Sequence, residues 1–338
     1  MTDAIRHNAD VRGLHGSSCA LLAAFIALAV APMVATADQS RLPTIGEVWF
    51  SEPVVAAPYM QAFRSGLRDL GYVEGRTVNI VSRFADGDAT RLPTLIADLV
   101  ALKVDVLYVS PRGLADAVHA TKTVPIVSMG FADPVAEGFA ASLARPGGNV
   151  TGISWQSMDT AGKRLEFAKQ LVPALRRVAI LFDPADQRSV DAKAFRSLAI
   201  TLGVNARAFE LSDPAKKPVV FQAIAQYRPD VLLVGLSPLT LMLRKPICGF
   251  AITHRIPLIS EGIVMAASGA LLTYGPNDLE ATKRTAVYID KILKGTSPAD
   301  LPIEQPTKFE LIVSMKTAKA IGVTVPESIL AQADEVIR

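Results

Sequence analysis

Cysteine is nearly absent from this chain: Cys19 and Cys248 are the only two among 338 residues. A disulfide framework is therefore excluded, and the core must hold the fold alone. Histidine is scarce too. Of four, only His119 and His254 lie beyond the first 38 residues, and neither sits in a Cys/His cluster with zinc-ligand spacing. No G-x-x-x-x-G-K-[ST] loop is present, and Phe50-Ser-Glu-Pro53 stands where a G-x-G-x-x-G turn would follow the first strand. There is no G-x-S-x-G elbow. Asp86-Gly-Asp88 resembles a fragment of a calcium loop, but the later ligands are missing and the segment reads as a turn. No metal, cofactor or catalytic residue is therefore expected. Charge of one sign is lacking as well: 35 Lys and Arg face 32 Asp and Glu, for a net charge of +3. Without a basic block interleaved with aromatics, no nucleic-acid partner is expected.

Long apolar runs are limited to one, Ala20–Val30. Arg6 and Arg12 precede it, and the small-x-small site Ala35-Thr36-Ala37 follows. Charge, run length and cleavage site together describe a secretory signal peptide over residues 1–37, and hence a periplasmic protein. The run is short for a membrane span. Cys19 precedes it and is badly placed for lipid attachment. The remaining ~300 residues are enough for two domains.

What fills those residues is rhythm. Short β-branched runs alternate with amphipathic, helix-length stretches, the pattern of βαβ units and parallel sheets. Strands are expected at Ile45–Phe50, Val78–Phe84, Val104–Val109, Ile126–Met129 and Val150–Trp155. Helices are expected at Ala56–Leu70, Ala89–Leu102, Pro111–Lys122 and Val135–Ala144. The rhythm then repeats. Its helices are Asp159–Val172, Ser189–Leu202, Ala215–Tyr227 and Leu239–His254; its strands are Arg177–Phe182, Val204–Leu211, Val231–Val234, Leu258–Ser260 and Leu271–Thr273. Asp278–Leu293 is a further helix, followed by a strand at Phe309–Val313 and a helix near Glu327–Ile337. The fold class is thus α/β, with two Rossmann-like lobes of parallel sheet. The junction near Ser154-Trp155-Gln156 has no Gly/Ser-rich tether, so strand-like crossovers are expected to act as hinges around a cleft.

Ligands of open parallel sheets bind beyond the carboxyl ends of the strands. Collecting those positions gives the candidate ligand-binding residues Ser51, Ser110, Arg112, Phe131, Asp133, Trp155, Asp183, Ser237, Glu261 and Tyr274. Several belong to a polar-Pro-helix pattern, in which capping and the helix dipole point N–H groups toward the cleft. Capping alone also explains Ser110, Asp133 and Ser237. Trp155 is suited to stacking or to plugging the hinge. Arg112 serves no core at a strand end. It is expected to clamp a carboxylate, with Met129, Phe131, Trp155 and Met265 as an apolar wall.

The segments Ala62–Gly75 (AFRSGLRDLGYVEG), Ser142–Gly152 (SLARPGGNVTG), Gly162–Glu166 (GKRLE), Tyr274–Asn277 (YGPN), Tyr288–Gly295 (YIDKILKG), Leu301–Leu311 (LPIEQPTKFEL) and Lys316–Gly322 (KTAKAIG) occur in that order. Together they resemble the substrate-binding proteins of ABC transporters, in the tryptophan/tyrosine-type branch. The resemblance implies a type I periplasmic-binding-protein fold with three crossovers. It places lobe 1 at 44–154 plus 277–298, and lobe 2 at 157–274 plus 303–338. It implies a monomer that closes on a small-molecule ligand, such as an amino acid or hydrophobic carboxylate, and presents it to an ABC permease in the inner membrane. A sensor on the same fold, or an exported enzyme, are the alternatives. The sequence departs from the family at Arg112, where a small residue is usual, and at Ser260–Ser268, which lacks the usual charged, aromatic-rich segment.

Overall fold

The computed structural model describes residues 41–131, 133–155, 157–186 and 203–338. The expected signal peptide and the expected helix Ser189–Leu202 lie outside the described residues. Strand β1 (Thr44–Trp49) is buried along its whole length, as a strand covered on both faces must be. It pairs in parallel with β2 (Asn79–Phe84) and β3 (Val106–Val109). Adding β4 (Ile126–Phe131) and β5 (Val150–Ser154) gives a parallel sheet of order β2-β1-β3-β4-β5.

A second sheet holds β6 (Arg177–Phe182), β7 (Asn205–Glu210), β8 (Val231–Val234), β9 (Leu258–Ser260), β10 (Leu272–Pro276), β11 (Phe309–Ser314) and β12 (Glu335–Ile337). Its order is β12-β11-β10-β9-β8-β6-β7. The first five of these strands are parallel and repeat the order of the first sheet, while β11 runs antiparallel to β10. The molecule is therefore two α/β lobes of the same winding, each with its strand ends available to a cleft.

Helices α1 (Pro53–Asp69), α2 (Leu92–Ala101) and α3 (Leu114–Ala120) belong to the first lobe. Helices α4 (Ser157–Leu171), α5 (Lys217–Tyr227), α6 (Pro238–Met242), α7 (Arg244–Thr253) and α8 (Ile263–Ala267) belong to the second. Helix α9 (Asp278–Leu293) leaves the second sheet and packs back on α1 and the first sheet. The chain then runs beside β5, where Ser154 N–H donates to the Glu304 carbonyl at 2.8 Å and Glu304 N–H donates to that of Gly152 at 3.1 Å. It enters the second sheet as β11. Helices α10 (Met315–Ile321) and α11 (Glu327–Leu330) close the tail.

Three expectations are corrected. Val135–Ala144 is not a helix: Gly138, at φ +76°, takes the left-handed conformation and ends the turn after Pro134. Leu239–His254 is divided at Leu243 into α6 and α7. The tail near Glu327–Ile337 is a one-turn helix followed by β12, because Asp334 exchanges hydrogen bonds with Leu311 and leads the β-branched pair Val336-Ile337 onto β11. Cys248 is buried in α7, and burial pushes its thiol up to about 12. No helix among the described residues is long and apolar enough to cross a membrane.

The contact between α1 and α9 is close because Gly66 has no side chain. A Cβ there would lie 2.4 Å from the Lys283 carbonyl oxygen and 2.8 Å from the Ala286 Cβ. Backbone cannot yield as a flexible side chain does, so Gly66→Ala is expected to destabilise the protein by about 1–3 kcal/mol. Thermal unfolding checks this; a variant melting with the parent would mean that the two helices are not locked at this distance.

Candidate functional site

The carboxyl ends of both sheets meet around one cavity of about 610 Å³, counted out to its mouth. Lobe 1 supplies Trp49, Phe50 and Ser51 after β1, Tyr59 from α1, Tyr108 and Ser110 from β3 and its end, Met129 from β4, and Trp155 after β5. Lobe 2 supplies Leu236 and Pro238 after β8, and Leu241 from α6. Asp278, the first residue of α9, completes the wall.

The local sequence explains how these groups are held. Trp49 and Tyr108 occupy adjacent strands, with ring centroids 5.3 Å apart, and Tyr108 stacks on Phe63 at 4.8 Å. The Trp49 indole N–H donates to Glu47 at 3.3 Å. Glu47 is fully buried and also accepts from Arg64 at 3.1 Å and Ser82 at 2.7 Å. Burial raises the Glu47 carboxyl, and Arg64 and the hydrogen bonds pull it back down. Gly130, at φ +99°, forms the irregularity between Met129 and Phe131 and lets the chain pass Pro111 and Trp155. The Ser110 hydroxyl accepts from the Phe50 N–H at 3.2 Å, tying two strand ends together.

Among the described residues Asp278 is the one carboxylate lining the cavity, and it is 1% exposed. Its Oδ2 accepts from the Tyr59 hydroxyl at 2.6 Å, while its Oδ1 is buried with no hydrogen-bond partner. Burial pushes this carboxyl up to about 6, against Tyr59 and the first-turn amides of α9; Glu261 adds a smaller upward push. The Trp155 Nε1 is likewise buried and without a partner.

Of the residues picked from sequence, Ser51, Ser110 and Trp155 line this cavity, as does Met129. Arg112 and Phe131 line a neighbouring cavity. Arg112 is not poised as a free carboxylate clamp. Its guanidinium pairs with Asp183 at the end of β6, across the lobes, and lies 4.8 Å from the Phe50 ring centroid. The Asp183 side chain is fully buried; burial raises its carboxyl and Arg112 lowers it. Asp133 is an exposed turn residue accepting from the N–H groups of Val135 and Ala136. Ser237 caps α6 in a capping box with Thr240. Glu261 is buried against Arg164 at 2.8 Å and accepts from the Leu236 N–H. Tyr274 packs between Phe167 and Phe309, and Met265 is in the second-lobe core. Sequence reasoning missed Trp49, Tyr59, Tyr108 and Asp278. The signal for Asp278 was its place directly after Tyr274-Gly-Pro-Asn277, where Asn277 already caps α9.

No group of three or more His, Cys, Asp or Glu among the described residues is arranged to hold a metal ion. The arrangement suits enclosure of a solute between lobes. In agreement, the chain matches the family of ABC transporter substrate binding proteins over residues 51–337, and it belongs to that family. A tyrosine-binding protein of Clostridioides difficile (strain R20291) is 27% identical over 266 residues, 77% of this chain and 75% of the relative. Two solved structures superpose with a TM-score of 0.81, covering 88% of this chain and 100% of each of theirs. One is a conserved domain protein from Vibrio cholerae, 24% identical; the other is an ABC domain in complex with L-Trp from Streptococcus pneumoniae, 23% identical. The fold is that of type I periplasmic-binding proteins.

The Arg112–Asp183 pair joins the lobes. Deleting one partner of a buried pair costs about 3–5 kcal/mol when the other charge stays buried; here the lobes can part and rehydrate Asp183. Arg112→Ala is therefore expected to open the cleft. The ligand-free variant should show a larger radius of gyration by solution X-ray scattering than the parent. Identical scattering curves would reject the pair as a lobe contact in solution.

Proposed function

We propose that this substrate-binding protein encloses one aromatic amino acid, or a solute of that shape, between its lobes and hands it to an ABC importer outside the cytoplasm. The observation that carries the reading is the interlobe cavity, which five aromatic side chains, Trp49, Phe50, Tyr59, Tyr108 and Trp155, line together with apolar groups of the second lobe. Flat apolar walls favour a flat apolar body, and offset or edge contacts between rings add to area burial. The tyrosine-binding relative and the L-Trp complex of the Streptococcus pneumoniae domain support the same solute class. Ser51 and Ser110 are assigned to polar contacts with the solute. The lobe limits 44–154 plus 277–298, and 157–274 plus 303–338, are part of this proposal, as are delivery to a permease and export by the leader. Contacts from both lobes stabilise the closed form over the open one, which gives a permease a signal of occupancy without chemistry.

Thermal unfolding of ligand-stripped protein against a panel of amino acids, sugars and carboxylates tests the reading. A solute at a hundred times its dissociation constant adds about 2.7 kcal/mol of stability. Aromatic amino acids are expected to raise the melting temperature, and Trp155→Ala to remove most of that rise. A rise confined to sugars or to aliphatic acids would sink the proposal.

A further inference from the structure

The cavity sets one requirement beyond shape. Asp278 is buried, its Oδ1 makes no hydrogen bond, and its one side-chain partner is the neutral Tyr59 hydroxyl. The groups among the described residues that act on it most are Tyr59, the first-turn amides of α9 and Glu261, and none of these is a cation. Glu261, from the loop after β9, is paired with Arg164, and Arg112, which lines the neighbouring cavity, is paired with Asp183. A lone buried carboxylate is costly unless it is protonated or meets a cation. The walls beside it are aromatic faces, which themselves attract cations. The buried Trp155 Nε1, also without a partner, is a donor and suits an acceptor atom elsewhere on the same solute.

We infer that Asp278 anchors a cationic nitrogen of the bound solute, so that the site selects aromatic primary amines, α-amino acids included, by their ammonium group and not by their carboxylate. This inference rests on the aromatic-solute reading above. It reverses the expectation drawn from Arg112, whose charge is spent between the lobes. Burial, with a smaller push from Glu261, holds the Asp278 carboxyl up at about 6. An ammonium ligand favours its ionised form. Affinity is therefore full above that value and declines as pH falls through it.

Isothermal titration with ligand-stripped protein tests this with three pairs: L-tyrosine and L-tryptophan, tyramine and tryptamine, and 3-(4-hydroxyphenyl)propionate and indole-3-propionate. The amino acids and the amines are expected to bind, with the propionates weaker by about a hundredfold, a scale set by a buried charge left unpaired. Asp278→Asn, nearly isosteric and checked for folding by circular dichroism, is expected to weaken the amino acids and amines at least ~tenfold. Parent affinity for L-tyrosine should fall about tenfold from pH 7 to pH 5, following the ionised fraction; the Asp278→Asn profile should be flat. Propionates binding as tightly as the amino acids, or unchanged affinity in Asp278→Asn, would overturn the inference and leave the aromatic-solute reading intact. Binding of none of the six would remove both.

Discussion

Bringing the strand ends of two parallel sheets against each other forces every charge at those ends to find a partner. The rest of the cleft follows from how that demand is met. Arg112 and Asp183 satisfy it across the lobes. Arg164 and Glu261 satisfy it within the second lobe, with the Leu236 N–H completing the Glu261 carboxylate. Glu47, beneath the cavity floor, is met by Arg64, Ser82 and the Trp49 indole. Asp278 alone among these carboxylates keeps an oxygen with no hydrogen bond. Such pairs contribute little net stability, because desolvation offsets the attraction. What they provide is position: each fixes a strand end or an aromatic ring at the edge of the cavity.

The fold was legible because burial leaves a periodic mark. Short apolar runs such as Val231–Val234 and Arg177–Phe182 came out with the limits read from sequence, and Asp278–Leu293 did the same as an amphipathic helix. The failures were local. A single left-handed glycine, Gly138, ended what composition presented as a helix, and Asp334 turned the tail from helix toward strand. Sequence shows apolar content over a window, but the competition there is decided by one backbone conformation or one side-chain hydrogen bond.

The site was less legible, for a geometric reason. Strand ends can be found in a sequence, and Ser51, Ser110 and Trp155, picked that way, line the cavity. Which strand end faces which lobe depends on sheet order and on the packing of α9, and neither is written locally. Arg112 looked free because its partner Asp183 is 71 residues away. Tyr59 and Asp278, 219 residues apart, meet only because α9 returns to α1 at the close approach that Gly66 permits. Tyr274 lies within β10 and Ser237 follows the end of β8, and their side chains serve ring packing and a helix cap.

The same structural facts bear on how occupancy is coupled to closure. The Arg112–Asp183 pair favours contact between the lobes whether or not a solute is present. The empty cavity opposes it, because apolar walls facing a void lose dispersion contacts and because Asp278 is desolvated without a cation. A solute that fills the aromatic space and meets Asp278 removes both penalties and leaves the ion pair unchanged. Only interactions that differ between the open and closed forms shift their populations. In the proposed function the ion pair sets the resting balance of the lobes, and the cavity determines how far a given solute moves it. On this argument a solute that fits the walls but carries no cation gains the packing term alone, and it closes the lobes less completely than its affinity for the aromatic surface suggests.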